Sequence, residues 1–320
     1  LVNLFKEEQP QICLMGAKHH QTKLLRTRSD KIFDAVNMVF ILLVLILCAY
    51  PIYYTIIASF SDPNAVITGE VLLWPVRVTL DSYRSVFDYR LVWTGYRNTI
   101  IYTVLGTIYN LILLLPASYG LSRKTLKGRN LLMAYFVFTM YFQGGTIPFY
   151  LLIRNMGLID NPVVLIIPAA VSVYNMIITR TYFSSFPEEL REAAKIDGAS
   201  EFRIFWQVVL PLSGAIVSVM VLYHAVGRWN SYFHALLFIN SSEYYPLQLV
   251  LRQVLLMNQS IGTDTAGMSA EALADMLRRQ RMAETMKYSL IIIANLPVMV
   301  MYPFVQKYFV KGVMIGSLKG

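Results

Sequence analysis

Glu192-Ala-Ala-Lys-Ile-Asp-Gly198, followed by Val208-Val-Leu-Pro211, lies between two apolar segments that are each long enough to cross a bilayer. Because charged groups are costly at membrane depth, this stretch must lie in water or in a groove of another protein. It therefore indicates a membrane protein whose water-exposed loop contacts a soluble partner.

The composition of the 320 residues also indicates a membrane protein. Hydrophobic residues make up 56% and charged residues 15%, whereas soluble domains carry about 25% charged residues. The mean hydropathy is +0.50. The net charge of +9 is typical of basic cytoplasmic loops, and no separate basic helix indicates nucleic-acid binding. Cys13 and Cys48 predict neither a disulfide nor a metal site.

Six segments without Asp, Glu, Lys or Arg predict an all-α, polytopic membrane protein with six transmembrane helices. Each segment is close to the length of about 20 residues that a spanning helix needs. We expect the fifth helix to begin near Leu212 and to continue past Arg228 to Ile239. The six segments are residues 35–61, 98–122, 130–153, 161–179, 204–227 and 288–306.

The basic residues of the connections predict that both termini are cytoplasmic, because Lys and Arg accumulate in cytoplasmic loops. They are frequent in residues 1–31, 123–129 and 311–320, and the last two stretches contain no acid. The chain is thus divided into a cytoplasmic segment 1–31, a six-helix domain 32–310 and a cytoplasmic tail 311–320. Within the domain, loop 184–211 is cytoplasmic and the long loop 240–287 is extracytoplasmic.

Helix-breaking residues lie inside several of the six segments, among them Gly144-Gly145, Pro148 and Pro168. Breaks at membrane depth are tolerated where neighbouring helices or a water-filled cavity satisfy the freed backbone groups. Glycine and proline are also ordinary constituents of membrane helices. Two interpretations stay open: plain membrane helices, or a pathway lined by bent helices.

The cytoplasmic loop predicts a short helix, a sharp turn and a second helix. Pro187 suits the first helical position, with Ser184 or Ser185 as a cap. Gly198 ends this helix with a positive φ. The second helix has an aromatic face of Phe202, Phe205 and Trp206.

The long loop 240–287 contains two helix-like patterns. Apolar residues recur at helical spacing at positions 247, 250, 251, 254 and 255, and Ser269 could cap a second helix. Amphipathic helices in this loop predict a surface for a partner or for the membrane interface.

The spacing of the loop resembles the signature of binding-protein-dependent ABC import permeases. It reads Glu-Ala-Ala, three residues, Gly, nine residues, an aliphatic residue, one more, and Leu-Pro, with Val208 where the family usually has Ile. Flanking stretches resemble the MalG-type branch that imports oligosaccharides, with a likeness to complex-polysaccharide importers of the alginate type. These stretches are residues 143–148, 157–158, 167–168, 226–232 and 306–312.

The resemblance implies that the helix around Glu192 is a coupling helix that docks in a groove of a cytoplasmic ABC ATPase dimer, which binds ATP and Mg. It implies a homologous second permease, an extracytoplasmic solute-binding protein, an oligosaccharide substrate and a multi-pass location in the lipid of the bacterial inner membrane. The tail after Lys311 is also expected near the ATPases. The implied coupling residues are Glu192, Ala193, Ala194, Asp197, Gly198, Leu210 and Pro211.

The chain is not expected to be an enzyme or to hold a cofactor. Gly262 and Gly267 have the glycine spacing of a Walker A motif, but Met268 follows where Lys is required. No metalloprotease, nucleophile-elbow or metal-binding motif is present. An intramembrane enzyme and a secondary transporter of a polar solute are the alternatives, but the spans lack the carboxylates and internal repeat that these would need.

Arg228 is the one ionised side chain well inside a predicted span. On a continuous helix over residues 212–239, about 42 Å long, His224, Arg228, Ser231 and Tyr232 would share one face. Trp229, Asn230 and His234 would stand beside it. Aromatic and hydrogen-bonding groups suit sugar rings, and Arg suits a carboxylate. Arg228 is therefore expected either to meet an acidic saccharide or to pair with an acid of the partner permease.

Overall fold

The computed structural model describes residues 28–168, 170–257, 271 and 282–303, and these residues form helices and turns without a β-strand. The predicted all-α, membrane-spanning class is confirmed. Contacts divide the chain into two units, residues 1–51 and 52–320. The predicted tail 311–320, and all but the last residues of the N-terminal segment 1–31, lie outside the described residues.

The first helix, α1 (Arg28–Ser59), has 32 residues and is about 48 Å long. Its most apolar window of 18 residues has no residue buried within the chain. Because a large apolar surface needs cover from lipid or protein, this helix is suited to a membrane. The later helices are α2 (Pro63–Ile67), α3 (Asp81–Asp88), α4 (Arg90–Ser122), α5 (Arg129–Tyr141), α6 (Thr146–Asn155), α7 (Val173–Ser184), α8 (Glu188–Ile196), α9 (Glu201–Ile204), α10 (Leu210–Leu212), α11 (Gly214–Trp229), α12 (Phe233–Phe238), α13 (Leu247–Met257) and α14 (Met282–Pro303).

Helices α4, α7 and α11 form the centre of the second unit. Leu114, Phe183 and Met220 have no exposed surface and lie in one apolar cluster shared by the three helices. Full burial of such a side chain contributes about 1.5–3 kcal/mol. This cluster extends to Ile204 and Phe205, so the predicted cytoplasmic loop is attached to the helical centre by its second half.

Several predicted spans are bent or interrupted. Helices α5 and α6 meet at an angle of 107°, and the segment 201–212 meets α11 at 84°. The first bend follows Gln143-Gly144-Gly145, where Gly145 has φ +82°. The interpretation of the glycine pair as a break, rather than as ordinary helix content, is therefore the correct one for this segment.

The predicted fourth span, residues 161–179, is not one helix. A 3-10 turn covers Pro162–Leu165, and α7 begins only at Val173. Pro168 lies in the gap, and a proline removes a helical N–H and disfavours the helical conformation of the residue before it. The hydropathy of the segment is continuous, but its backbone is not.

The prediction that the fifth span is one continuous helix is also wrong, because α11 ends at Trp229 and α12 starts at Phe233. Asn230 and Ser231 interrupt it, with Ser231 N donating to Arg228 O at 3.1 Å in a turn. Asn and Ser side chains compete for backbone partners and favour such turns over helix interiors. The single helix of about 42 Å therefore does not form.

Three helices of the described chain are long and apolar enough to span a membrane, or up to five if each bent pair is one span. The interrupted fourth segment accounts for the difference from the predicted six. The six-span count and the cytoplasmic termini stay predictions.

In the predicted outer loop 240–287, α13 forms where the apolar spacing indicated a helix. Leu247, Val250 and Val254 of α13 are buried together with Val92 of α4 and Leu290 of α14. The apolar face of this helix therefore packs within the chain, instead of forming the partner surface that we expected. The second predicted helix, capped by Ser269, lies outside the described residues.

Candidate functional site

The helix–turn–helix predicted for loop 184–211 is present. Helix α8 begins after Pro187, and no side chain caps it. The predicted caps were wrong: Ser184 donates to Arg180 O at 2.9 Å and Ser185 to Tyr182 O at 2.8 Å. Glu188 and Glu189 occupy the first turn, where acidic groups are favoured by the helix dipole.

Gly198 makes the turn after α8 with φ +79°, as the sequence predicted. Its N–H donates to Lys195 O at 2.9 Å, and Ala199 N donates to Ala194 O at 3.0 Å. These bonds satisfy carbonyl groups that the end of a helix leaves without partners. Ser200 then caps α9 by accepting a hydrogen bond from Arg203 N at 3.3 Å.

The second helical stretch continues from α9 through a π-helical turn, Phe205–Val209, into α10 with Leu210-Pro211. Leu210 N donates to Phe205 O, five residues back. Ile204, Phe205 and Val209 are buried in the central cluster. The stretch is thereby fixed to the bundle up to its sharp bend into α11.

Both halves of the loop expose large apolar side chains on one side. Ile196 is 88% exposed and Phe202 is 72% exposed, although both are large and apolar. Ala194 packs against the central cluster. The side that points away from the bundle is formed by the exposed residues Glu192, Ala193, Ile196 and Asp197. This side is an amphipathic surface suited to a protein partner.

Arg191 is a buried cation within the loop, 7% exposed. Its Nε donates to Glu188 Oε1 at 2.7 Å, and its Nη1 donates to Glu201 Oε1 at 2.8 Å. It therefore joins the start of α8 to the start of α9 across the Gly198 turn. The sequence reading missed this role, although an Arg among apolar and small residues of the stripe was a visible signal.

The same two carboxylates connect the loop to the end of α4. Arg123 Nη1 donates to Glu188 Oε2 at 3.1 Å and Arg123 Nη2 to Phe183 O at 2.9 Å. Tyr119 OH donates to Glu201 Oε2 at 3.1 Å, while Lys195 Nζ lies 2.7 Å from Glu201 Oε1. We call the group Tyr119, Arg123, Glu188, Arg191 and Glu201 the polar linkage.

Within the polar linkage, Glu188 and Arg191 favour each other's ionised forms. The hydrogen bond from Arg191 holds the pKa of Glu188 below its ordinary value of 4.5. The hydrogen bond and charge of Glu188 in turn raise the pKa of Arg191. At neutral pH Glu188 and Arg191 therefore form a pair of opposite charges.

Arg228 does not face an open cavity. Its guanidinium donates to Leu165 O, to Ile166 O at 2.9 Å and to Asn110 Oδ1 at 3.0 Å. Gly106 gives it room, since a Cβ there would lie 3.0 Å from Arg228 Nε. Arg228 thus has acceptors within the chain, whereas its contact with a saccharide carboxylate or with an acid of the partner permease stays a prediction.

These contacts explain why the chain tolerates an Arg at membrane depth. The carbonyls of Leu165 and Ile166 lie where the fourth predicted span breaks. A backbone acceptor without a partner in a membrane costs several kcal/mol. Arg228 supplies the donors, and Asn110 extends the network to His224 Nδ1 at 2.9 Å.

The other residues of the predicted substrate face separate in the structure. His224 is 7% exposed and Trp229 is 5% exposed, with Trp229 Nε1 donating to Ala294 O at 2.9 Å. Asn230 donates to Val226 O in the turn. Tyr232 lies beyond the end of α11, with the Arg252 guanidinium 5.9 Å from its ring centre. The face predicted on one continuous helix therefore does not exist.

A cavity of about 660 Å³ lies instead near the breaks, with His234 as the only member of the predicted neighbourhood in its wall. Thr139 and Gln143 come from the end of α5 and the following break. Ser172 and Tyr174 come from the start of α7, and Phe149 from α6. The glycine pair and Pro168 were the sequence signals that could have located it.

Asp160 is a second residue that the sequence reading missed. It has φ +58°, and its carboxylate accepts from Asn240 N at 2.9 Å and from Ser241 N at 2.8 Å. Together with the hydroxyl of Ser241, these donors lower the pKa of Asp160. The contact ties the turn after α6 to the residues that follow α12.

The described residues contain no group of three or more His, Cys, Asp or Glu that could hold a metal ion. The arrangement therefore consists of a surface loop, a polar linkage and a cavity between broken helices.

Comparison with known proteins identifies the family of the chain. The model of the binding-protein-dependent transport system inner membrane component matches residues 92–315. The Bacillus subtilis (strain 168) protein LplC is 38% identical over 92% of this chain and 97% of its own length. The polygalacturonan/rhamnogalacturonan transport system permease protein YtcP of the same organism is 36% identical over 91% of this chain and 99% of its own.

A solved structure agrees with the sequence relatives. It is a crystal structure of a bacterial ABC transporter involved in the import of the acidic polysaccharide alginate, and one of its chains is 36% identical to this one with a TM-score of 0.79. The match covers 88% of this chain and 98% of that chain. The protein thus belongs to the family of binding-protein-dependent transport system inner membrane components, the permease subunits of ABC transporters.

Proposed function

We propose that this permease imports an acidic oligosaccharide, delivered by an extracytoplasmic binding protein, into the bacterial cytoplasm. The observation that carries the proposal is the loop α8–Gly198–α9, which presents an exposed amphipathic surface and is fixed to the central helices by its other side. An import permease needs both properties, because it must receive force from a soluble partner and pass it to the membrane helices.

The proposed class of cargo is inferred from the names of the relatives. YtcP is named for polygalacturonan and rhamnogalacturonan, and the structural relative belongs to an importer of alginate. These glycans share carboxylated sugar rings. The hydrogen-bond donors of Arg228 are bound to neutral acceptors within the chain, so Arg228 is not proposed to pair with the cargo, and acidic cargo is selected first by the binding protein.

The partners follow from the family. A homologous second permease completes the pathway, and a cytoplasmic ATPase dimer binds ATP and Mg and contacts Glu192, Ala193 and Asp197 on the exposed side of α8. Leu210 and Pro211 end the second helical stretch and stay with the bundle. Gly198 allows the turn between the docking half and the fixed half.

The proposed topology has six spans, with loop 184–211 and both termini in the cytoplasm. Cysteines at Lys127 and Ser200 should react with an impermeant maleimide only in inverted vesicles, and a cysteine at Thr68 only in intact cells. Reaction of position 200 in intact cells would overturn this topology.

The docking of α8 is tested by a photo-crosslinking residue at Ile196, which is 88% exposed. In the assembled complex we expect an adduct with the ATPase that changes in yield when ATP binds. The matched control is Trp74, 76% exposed and placed in the outer loop, which should give no such adduct. Absence of an ATPase adduct from position 196 would contradict the coupling role.

A further inference from the structure

Three breaks in the helical backbone meet around one cavity of about 660 Å³. The first is the bend between α5 and α6, the second precedes α7, and the third separates α11 from α12. Each contributes residues to the wall: Gln143 and Gly145 from the first, Ser172 from the second and Phe233 from the third. The breaks are thus gathered at one place rather than scattered along the chain.

The clustering of the three breaks around one cavity has a physical explanation. Irregular backbone at membrane depth exposes N–H and C=O groups that lipid cannot satisfy, so it is tolerated only inside protein or beside a water-filled cavity. Arg228 donates to the carbonyls of Leu165 and Ile166 at the far side of the second break. The remaining irregular backbone borders the cavity, which must therefore hold water or a polar solute.

The wall offers the groups that bind a pyranose ring. Thr139, Gln143 and Tyr174 carry a hydroxyl, an amide and a phenol, all suited to the hydroxyls of a sugar. Phe149 and His234 have ring centres 5.8 Å apart and planes inclined by 44°, so one of the two rings can stack against the C–H face of the sugar. The volume falls within the range of about 300–1,000 Å³ that ligand sites occupy.

Charge is missing from this wall. Among the described residues that form it, none is Lys, Arg, Asp or Glu. A carboxylated cargo would therefore be held here by its hydroxyl groups, and its charge would contribute little. A site of this kind binds weakly enough to release its ligand, which a pathway requires.

We propose that this cavity binds one sugar ring of the oligosaccharide during its passage through the membrane. The inference rests on the proposed import function and adds the place and the chemistry of recognition. It replaces the predicted substrate face around Arg228 with groups that are neutral.

The test uses the complete complex with its partner permease and ATPase in proteoliposomes, a cargo-loaded binding protein outside, and tetragalacturonate as the probe. Gln143→Ala and Tyr174→Ala should each lower uptake by about three- to tenfold, the loss expected for a neutral hydrogen bond. ATP hydrolysis stimulated by the loaded binding protein should remain, so that less cargo moves per ATP. The control is Ile147→Ala on α6, next to the wall but 75% exposed and outside it.

A second measurement does not depend on the alanine variants. In a background with Cys13→Ser and Cys48→Ser, a cysteine at position 143 should react with a maleimide, and tetragalacturonate should protect it during turnover. A cysteine at position 147 should show no protection. If the cysteine at position 143 never reacts with the maleimide, a partner side chain fills the cavity, and the proposal is overturned.

The outcomes separate the two claims. Variants at 143 and 174 that transport like the Ile147 control, with no protection of the thiol, would overturn the cavity site and leave import intact. A wild-type complex without ATP-dependent uptake of tetragalacturonate would contradict the import of acidic oligosaccharide itself, and the cavity assignment with it.

Discussion

Replacing Arg191 by Met tests how the loop that carries α8 and α9 is connected to the membrane helices. Met keeps most of the length of the side chain and removes the charge that joins Glu188 to Glu201. Arg123 and Lys195 still neutralise the two carboxylates. The variant therefore removes the Arg191–Glu201 contact between α8 and α9, keeps the Lys195–Glu201 pair and leaves no buried charge unpaired.

The magnitude follows from the exposure of the partners. A hydrogen bond between charged groups contributes about 1.5–3 kcal/mol, but both Glu side chains are nearly half exposed, at 47% and 48%. Solvent screening reduces each contact to roughly 1 kcal/mol. Glu188 lies on α8 together with Arg191, so only the contact with Glu201 crosses to α9. Its loss, about 1 kcal/mol, should raise the population with α8 detached from α9 roughly fivefold.

The assay is amide hydrogen exchange of the assembled complex in nanodiscs, combined with the ratio of cargo moved to ATP hydrolysed. Exchange of the α8 amides should accelerate by up to roughly fivefold, and less cargo should move per ATP because α8 and α9 are less firmly joined. The matched control is Arg203→Met on α9, since the exposed Arg203 binds only the side chain of Gln207 within the described contacts. Equal exchange and equal coupling in both variants would refute the role given to Arg191.

Three further changes have definite expected results. Gly198→Pro should abolish retention of the ATPase on purification, because Pro is fixed near φ −65° and the native φ is +79°; a variant with normal cargo-stimulated ATP hydrolysis would contradict this. Arg228→Gln should lower the melting temperature and the uptake of acidic and neutral cargo alike, since its partners are backbone carbonyls; a selective loss of acidic cargo would disprove the structural role. Because the pKa of Glu188 is lowered in the folded chain, its contribution is present above pH 4.5 and is lost as the pH falls through the lower folded pKa. The protection factors of the α8 amides should therefore fall at acidic pH in the wild type, and Glu188→Gln should reduce that pH step.

The loop could be predicted from the sequence because its determinants are local. Gly198 is required by a positive φ within a turn, and Ser200 caps the helix that follows by contacting a residue three positions away. The apolar segments predicted the all-α membrane class for the same reason, since a span needs only its own residues to be apolar.

The interruptions could not be placed in this way. A window of about 20 residues averages over Asn230 and Ser231 and reports one span where the chain makes a turn. The acceptors of Arg228 lie 62, 63 and 118 residues away along the chain. The contact of Asp160 with Ser241 crosses 81 residues. Such pairs depend on how the helices pack, which the local pattern does not contain.

Energy-dependent uptake of tetragalacturonate into proteoliposomes tests the central claim most directly. The vesicles contain the complete complex, with ATP and Mg enclosed on the cytoplasmic side and the binding protein outside. We predict uptake that requires ATP and the binding protein and that persists when proton and sodium gradients are collapsed. Uptake that proceeds without ATP and follows an ion gradient would contradict the account and identify a secondary transporter.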